Sequence, residues 1–280
     1  MRKEKIQKNE KDAAHKYEMI INRELKSYPR AKELFMRLKN DPEVTTYLES
    51  ANTMMIGRFG YTDHGRTHAL IVTANALRIA RLLLSADVPW ESKESMGFNE
   101  DDIRCVIVAA SYLHDIGNAI HRNHHNIHGV LLATNLLRNN LSAVYEDWIR
   151  GSRLLTEALH AIYVHDAYNN PELEVKTMEA GVVSVADGTD LTAGRTRIPF
   201  KLGKIDIHSV SAMSISNINI KRGKIRPVLI EIDMKESAGI FQVQAILGEK
   251  IKNSPLKNYI SVVARTRANK KPLELTFEYN

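Results

Sequence analysis

A chain of 280 residues, 44% hydrophobic and 26% charged, is long enough for one large domain or a medium domain with a small companion. Its single cysteine, Cys105, cannot build a disulfide framework. The Lys/Glu-rich start has no hydrophobic signal core, and no apolar run approaches the roughly eighteen residues a membrane span needs, so a cytoplasmic protein without a membrane partner is expected. The net charge of +6 resides in the last third, where residues 195–280 hold 16 Lys and Arg against 7 Asp and Glu. That surplus can attract anionic ligands or nucleic acid, although no aromatic-rich RNA-binding signature accompanies it.

Residues 2–26 read as a charged, helix-favouring arm with Ala13, Ala14, Tyr17, Ile20 and Ile21 at helical spacing. Pro29 breaks it, and residues 30–57 read as one or two further helices, suited to packing around the domain or to pairing subunits. Gly57, Gly60 and Gly65 then bracket a turn containing Asp63 and His64. A helix is predicted over 68–84, where His68, Val72, Ala76, Ile79 and Leu83 share one face. His68 therefore points towards the core, and His64, four residues earlier, is within reach of the same place.

Residues 85–99 read as a loop, and the apolar run Val106–Leu113 as a buried helix. Beyond it, helices are expected from His128-Gly129 to about Arg138, across 143–164 carrying His160, and across 177–187. His165 and Asp166 begin a polar loop between the last two. In the C-terminal part, Ile218 and Ile220 alternate against Val228, Ile230 and Ile232 across a Lys221-Arg222-Gly223-Lys224 turn, a hairpin signal. A helix from Ser237 to about Lys252 buries Ile240, Val243, Leu247 and Ile251, and strands are expected over 259–264 and 273–279.

The chemistry concentrates after the buried helix. His114 and Asp115 emerge at its end, and five of the eleven histidines fall between positions 114 and 128. A carboxylate buried there is costly unless a cation or several hydrogen bonds compensate it, and imidazole is the commonest metal ligand near neutral pH. Asp187 repeats the logic: it follows the apolar run Val182-Val183-Ser184-Val185-Ala186 at a helix C-terminus, where an acid invites a compensating cation.

The ordered set His68, His114-Asp115 and Asp187, with the HDIG tetrapeptide, resembles the metal-dependent phosphohydrolases of the HD superfamily over roughly residues 55–200. The resemblance implies a mainly α fold, a helical bundle holding a divalent cation, here followed by a smaller C-terminal α+β domain. The corresponding divisions are 1–56 (helical arm), 57–203 (metal-binding domain) and 204–280. The His64-Gly-Arg-Thr-His68 spacing is similar to that of cyclic-nucleotide phosphodiesterases, whose first histidine protonates the leaving group and whose second binds metal. His125 and His160 fall where HD-GYP and other two-metal members supply ligands to a second ion. The phrases HDIGNAIHR, TMEAGVVSVADGTDLTAGRTRIPF, IHSVSAMSI and ESAGIFQVQAIL resemble a largely uncharacterised group of microbial HD hydrolases. Asn118 stands where HD-GYP proteins carry Lys, and the GYP tripeptide is absent after His165, so a cyclic-di-GMP specificity does not carry over.

The resemblance thus implies a phosphohydrolase acting on a small-molecule phosphoester, a nucleotide or cyclic nucleotide, through a metal-activated hydroxide. His64 and Asp115 would be catalytic, and His68, His114, Asp115, His125, His160 and Asp187 would hold one or two divalent ions. Mixed imidazole and carboxylate ligands admit Mn, Fe, Co, Ni, Zn or Mg. Arg66, Arg122, Arg195 and Arg197 are candidates to hold phosphate oxygens, since a guanidinium fork matches their geometry. Glu179 could orient a ligand or face solvent. A homo-oligomer is expected. The alternative is a non-catalytic HD scaffold whose basic C-terminal domain binds nucleic acid or a protein partner.

Overall fold

The computed structural model describes residues 2–170, 172–191, 207–266 and 273–278. Helices α1 (Arg2–Glu24), α2 (Pro29–Asn40) and α3 (Pro42–Asn52) open the chain. Pro29 and Pro42 both start helices, where a missing N–H costs nothing. Asp41 caps α3 by accepting from the backbone N–H groups of Glu43 and Val44. The arm is not a loose appendage: Ile20, Ile21, Leu25, Leu34, Phe35 and Leu38 are buried, with α1 lying along α4 and α2 along α6.

The core helices are α4 (Arg66–Leu84), α6 (Glu100–Leu113), α8 (Trp148–Val164) and α9 (Met178–Gly188), joined by α5 (Glu91–Ser95) and flanked by α7 (His125–Val144). By length and hydropathy α4 is within range of a membrane span, yet most of it is buried inside the protein. Asn99 and Asp102 form a reciprocal capping box at the start of α6, and every residue from Asp102 to Leu113 is buried. Cys105 lies in that stretch, accepts from the Tyr145 hydroxyl, and has its thiol pKa pushed far up by burial, which makes it a packing residue. The expected loop 85–99 contains α5, and α7 starts three residues before the predicted His128.

The C-terminal part comprises α10 (Ile207–Ser214) and strands β1 (Ile215–Arg222), β2 (Val228–Met234), β3 (Ile260–Thr266) and β4 (Leu273–Glu278). The sheet order is β1-β2-β3-β4. The predicted hairpin is present, with Ile220 opposite Ile230. The β2–β3 pair is parallel, so a crossover must join them. Residues 237–252 supply it as a continuous helical segment that is π-helical over Val243–Gly248. Val243, Leu247 and Ile251 are buried, Ile240 only partly, and Ser237 begins a 3-10 turn instead of capping an α-helix. One contiguous core joins the arm, the helical bundle and the sheet.

Candidate metal centre

Five imidazoles reach one carboxylate because helix ends and turns converge there. His68 is in the first turn of α4, and His114 and Asp115 follow the last turn of α6. His125 is the first residue of α7, His165 follows α8, and Asp187 is in the last turn of α9. His64 sits in the turn before α4, where Gly60 takes a left-handed φ of 65° that suits glycine. The close approach of the segments depends on Gly117: a Cβ there would lie 1.9 Å from the His125 carbonyl oxygen. His124 turns the chain into α7 with a φ of 60°.

The Nδ1 atom of each of the five rings meets an oxygen acceptor. His64 faces the Thr62 carbonyl at 2.7 Å, His114 that of Ser111 at 2.8 Å, His125 that of Arg122 at 3.0 Å and His165 that of Ile162 at 2.7 Å. His68 Nδ1 meets the Asp190 carboxylate at 2.7 Å. A carbonyl can only accept, so Nδ1 carries a proton in His64, His114, His125 and His165, and Nε2 is the nitrogen these rings turn to the centre.

The Nε2 atoms then surround Asp115. His68 and His114 each lie 3.4 Å from Oδ2, and His64 lies 4.0 Å from it. His125 and His165 lie 3.6 and 3.7 Å from Oδ1, which also accepts from the Asn118 amide. Asp187 Oδ1 closes the first group, 3.2 Å from His68 Nε2 and 3.7 Å from His114 Nε2.

This donor set fits a divalent metal. His68, His114 and Asp187 each offer a ligand atom within 4.8 Å of the others, and so do His114, Asp115 and His165. His68 Nε2 and His114 Nε2 are 3.1 Å apart, and His125 Nε2 and His165 Nε2 are 3.2 Å apart. At that distance the paired nitrogens repel unless a proton or a metal ion lies between or beside them. Burial alone would raise the Asp115 and Asp187 pKa values, but neighbouring imidazoles and, at Asp187 first of all, Lys250 hold both well below the usual carboxylate range. Burial and the adjacent His165 depress His125 to about 4, whereas Asp115 and Asp187 raise His114 against the effect of its burial.

A cleft of about 170 Å³ opens over this group, lined by His64, Asp115, Arg122, His125, His165 and Asp187, with Tyr168 and Lys250 on its wall. Arg122 lies at the cleft with Nη2 3.6 Å from Asp166. Arg66 is not brought there: its guanidinium pairs with Glu18 of α1 at 3.0 Å, on an exposed surface. Arg195 and Arg197 lie outside the described residues. Glu179 does neither of the things expected of it, being buried at the far end of α9 and accepting from Ser92 Oγ.

The structure brings His165, not His160, against Asp115. Five residues along an α-helix is a rotation of about 140°, so two such positions cannot face one point. Among the described residues His160 Nε2 is instead buried with no hydrogen-bond partner, and its pKa is lowered by burial. The sequence contains a signal for His165: Tyr163-Val-His165-Asp166-Ala-Tyr-Asn169 repeats Tyr112-Leu-His114-Asp115-Ile-Gly-Asn118. Both copies end a helix, both histidines donate to the carbonyl three residues back, and both run into a 3-10 turn whose Asn donates to the Asp carboxylate. Three further residues escaped sequence reasoning: Asp190 on His68, Asp166 beside Arg122, and Lys250.

The fold and this donor set define an HD domain, and the HD-domain family profile matches residues 65–192, which span every one of these groups except His64 and Lys250. The chain belongs to the HD superfamily. It is 43% identical over 244 residues to the uncharacterized protein MJ1020 of Methanocaldococcus jannaschii, covering 87% of this chain and 92% of that protein, so the two are members of one family. No solved structure matches the chain.

Proposed function

We propose that the protein is a metal-dependent phosphohydrolase acting on a small phosphoester, with a nucleotide as the substrate class. The observation that supports this reading best is the set of five buried imidazoles with Nδ1 tied back and Nε2 aimed at Asp115. A non-catalytic scaffold has no need to bury two carboxylates and five rings beside an open cleft. A divalent ion in such a site supplies Lewis acidity and a water acidic enough to ionise near neutral pH.

In this reading His68, His114 and Asp187 hold one ion, His125 and His165 hold a second, and Asp115 lies between the groups with one oxygen towards each. Arg122 binds phosphoryl oxygens at the mouth of the cleft. His64, with Nδ1 held by the Thr62 carbonyl, would carry a second proton on Nε2 and deliver that one to the departing alkoxide. The test is metal analysis of the purified protein followed by a phosphoester panel with added Mn, Fe, Ni or Mg. Hydrolysis that stops with a chelator and returns with metal is expected. A folded, metal-loaded protein inert towards both monoesters and diesters would overturn the proposal.

A further inference from the structure

Lys250 belongs to the C-terminal helical segment, far in sequence from every group in the centre, and its side chain is 2% exposed. Burying an ammonium costs several kcal/mol unless its three donors are met. Here they are. Nζ donates to Asp187 Oδ2 at 2.8 Å and to the His165 carbonyl at 2.7 Å, lies 3.5 Å from Asp166 Oδ1, and sits 4.9 Å from the centre of the Tyr168 ring. The His165 carbonyl accepts from Ser184 Oγ as well, at 2.8 Å, so the end of α8 is held from two sides.

The two groups that Lys250 clasps belong to different halves of the centre. Asp187 lies with His68 and His114, whereas His165 lies with His125. By occupying Asp187 Oδ2, the ammonium leaves Oδ1 turned towards His68 Nε2. The repeated His-Asp unit shows the same division of labour: Asp115 is surrounded by imidazoles, whereas its counterpart Asp166 is met by Lys250 and Arg122. The approach is close beside Asp187: a Cβ at Gly188 would lie 2.9 Å from Lys250 Cδ, so the lysine stem would have to shift.

We propose that Lys250 is a positioning residue of the metal centre, and that the C-terminal α+β domain serves the centre by delivering this ammonium to Asp187 and the His165 carbonyl. The proposal rests on the metal-centre reading above. Partners that orient metal ligands cost typically ~10–100-fold in metal affinity when removed. Lys250→Met keeps the aliphatic stem and removes the charge, and Gly188→Ala keeps every charge but presses on the stem.

The experiment measures affinity of the full-length protein for Mn and Zn by competition with a chromophoric chelator, alongside melting of the chelator-treated protein. Lys250→Met is expected to bind metal about 10–100-fold more weakly, and Gly188→Ala to shift affinity the same way by less. Lys252→Met, at an exposed neighbour, is expected to match the parent. A lysine that only braces the domain junction would lower the melting temperature and leave the affinity of the folded protein unchanged. Parent affinity in folded Lys250→Met overturns the proposal. If that variant does not fold, parent affinity in folded Gly188→Ala overturns it. A parent that binds neither ion overturns the metal-centre reading instead.

Discussion

Asp190 Oδ2 stands 2.7 Å from His68 Nδ1, a buried carboxylate fixing the tautomer of the ring that opens α4. The contact spans 122 residues and turns His68 Nε2 towards Asp115 and Asp187. Such carboxylate–histidine pairs orient the ring and make its other nitrogen a better donor. Asp190→Ala should therefore weaken metal binding by about 10–100-fold with the fold intact. Chelator competition checks this, and unchanged affinity would reduce Asp190 to a packing partner.

Nuclearity is decided at α8. If His125 and His165 hold a second ion, His165→Ala should lower the metal content of a fully loaded protein by about one per chain while the first ion stays. His160→Ala, altering a ring on another face of the same helix, should leave it unchanged. Elemental analysis after gel filtration reads both. A parent fixed at one ion per chain would count against the second half-site.

His64 makes a prediction about leaving groups. Proton donation is worth typically ~10²–10⁴-fold in rate, and only a poor leaving group needs it. His64→Ala should slow hydrolysis of a nucleotide ester by that order and leave an aryl phosphate such as p-nitrophenyl phosphate nearly unaffected, with metal content unchanged. Equal losses on both substrates would assign His64 to binding or structure.

Much of this site was legible in the sequence, for physical reasons that also explain the gaps. His68, His114, Asp115 and Asp187 stand at the ends of apolar runs, where a polar group must find a partner. His125 and His160 both came from the resemblance to two-metal HD proteins; the structure sets His125 and His165 against Asp115, and the repeated Tyr-x-His-Asp motif marks His165. Lys250 carried a fainter signal: it falls three residues after Leu247 and seven after Val243, within the buried stripe, where a lysine is costly. Asp190 and Asp166 look like loop acids in sequence and acquire their roles only through tertiary contacts. The sheet was legible as alternating strands, but its parallel β2–β3 pair follows from the crossover.

A pH dependence unconnected with metal resides at Glu157. Burial, then Glu179 and Glu91, raise its carboxyl to about 7, and among the described residues its Oε2 has no hydrogen-bond partner. A carboxyl with a raised folded-state pKa binds more protons folded than unfolded between its ordinary value and about 7. Stability is thus lost as pH rises through that window. Glu157→Gln, which stays neutral, should melt higher than the parent at pH 8, with the gap narrowing or vanishing at pH 4. Thermal melts at the two pH values check this, and a gap that does not change with pH would contradict it.

The measurement that tests the account most directly is the bound metal and phosphoester hydrolysis of Asp115→Ala beside the parent. Asp115 lies within 4.0 Å of all five rings. The folded variant is expected to lose both the metal and the hydrolysis. A folded Asp115→Ala that retains the parent's full metal content and turnover would contradict it.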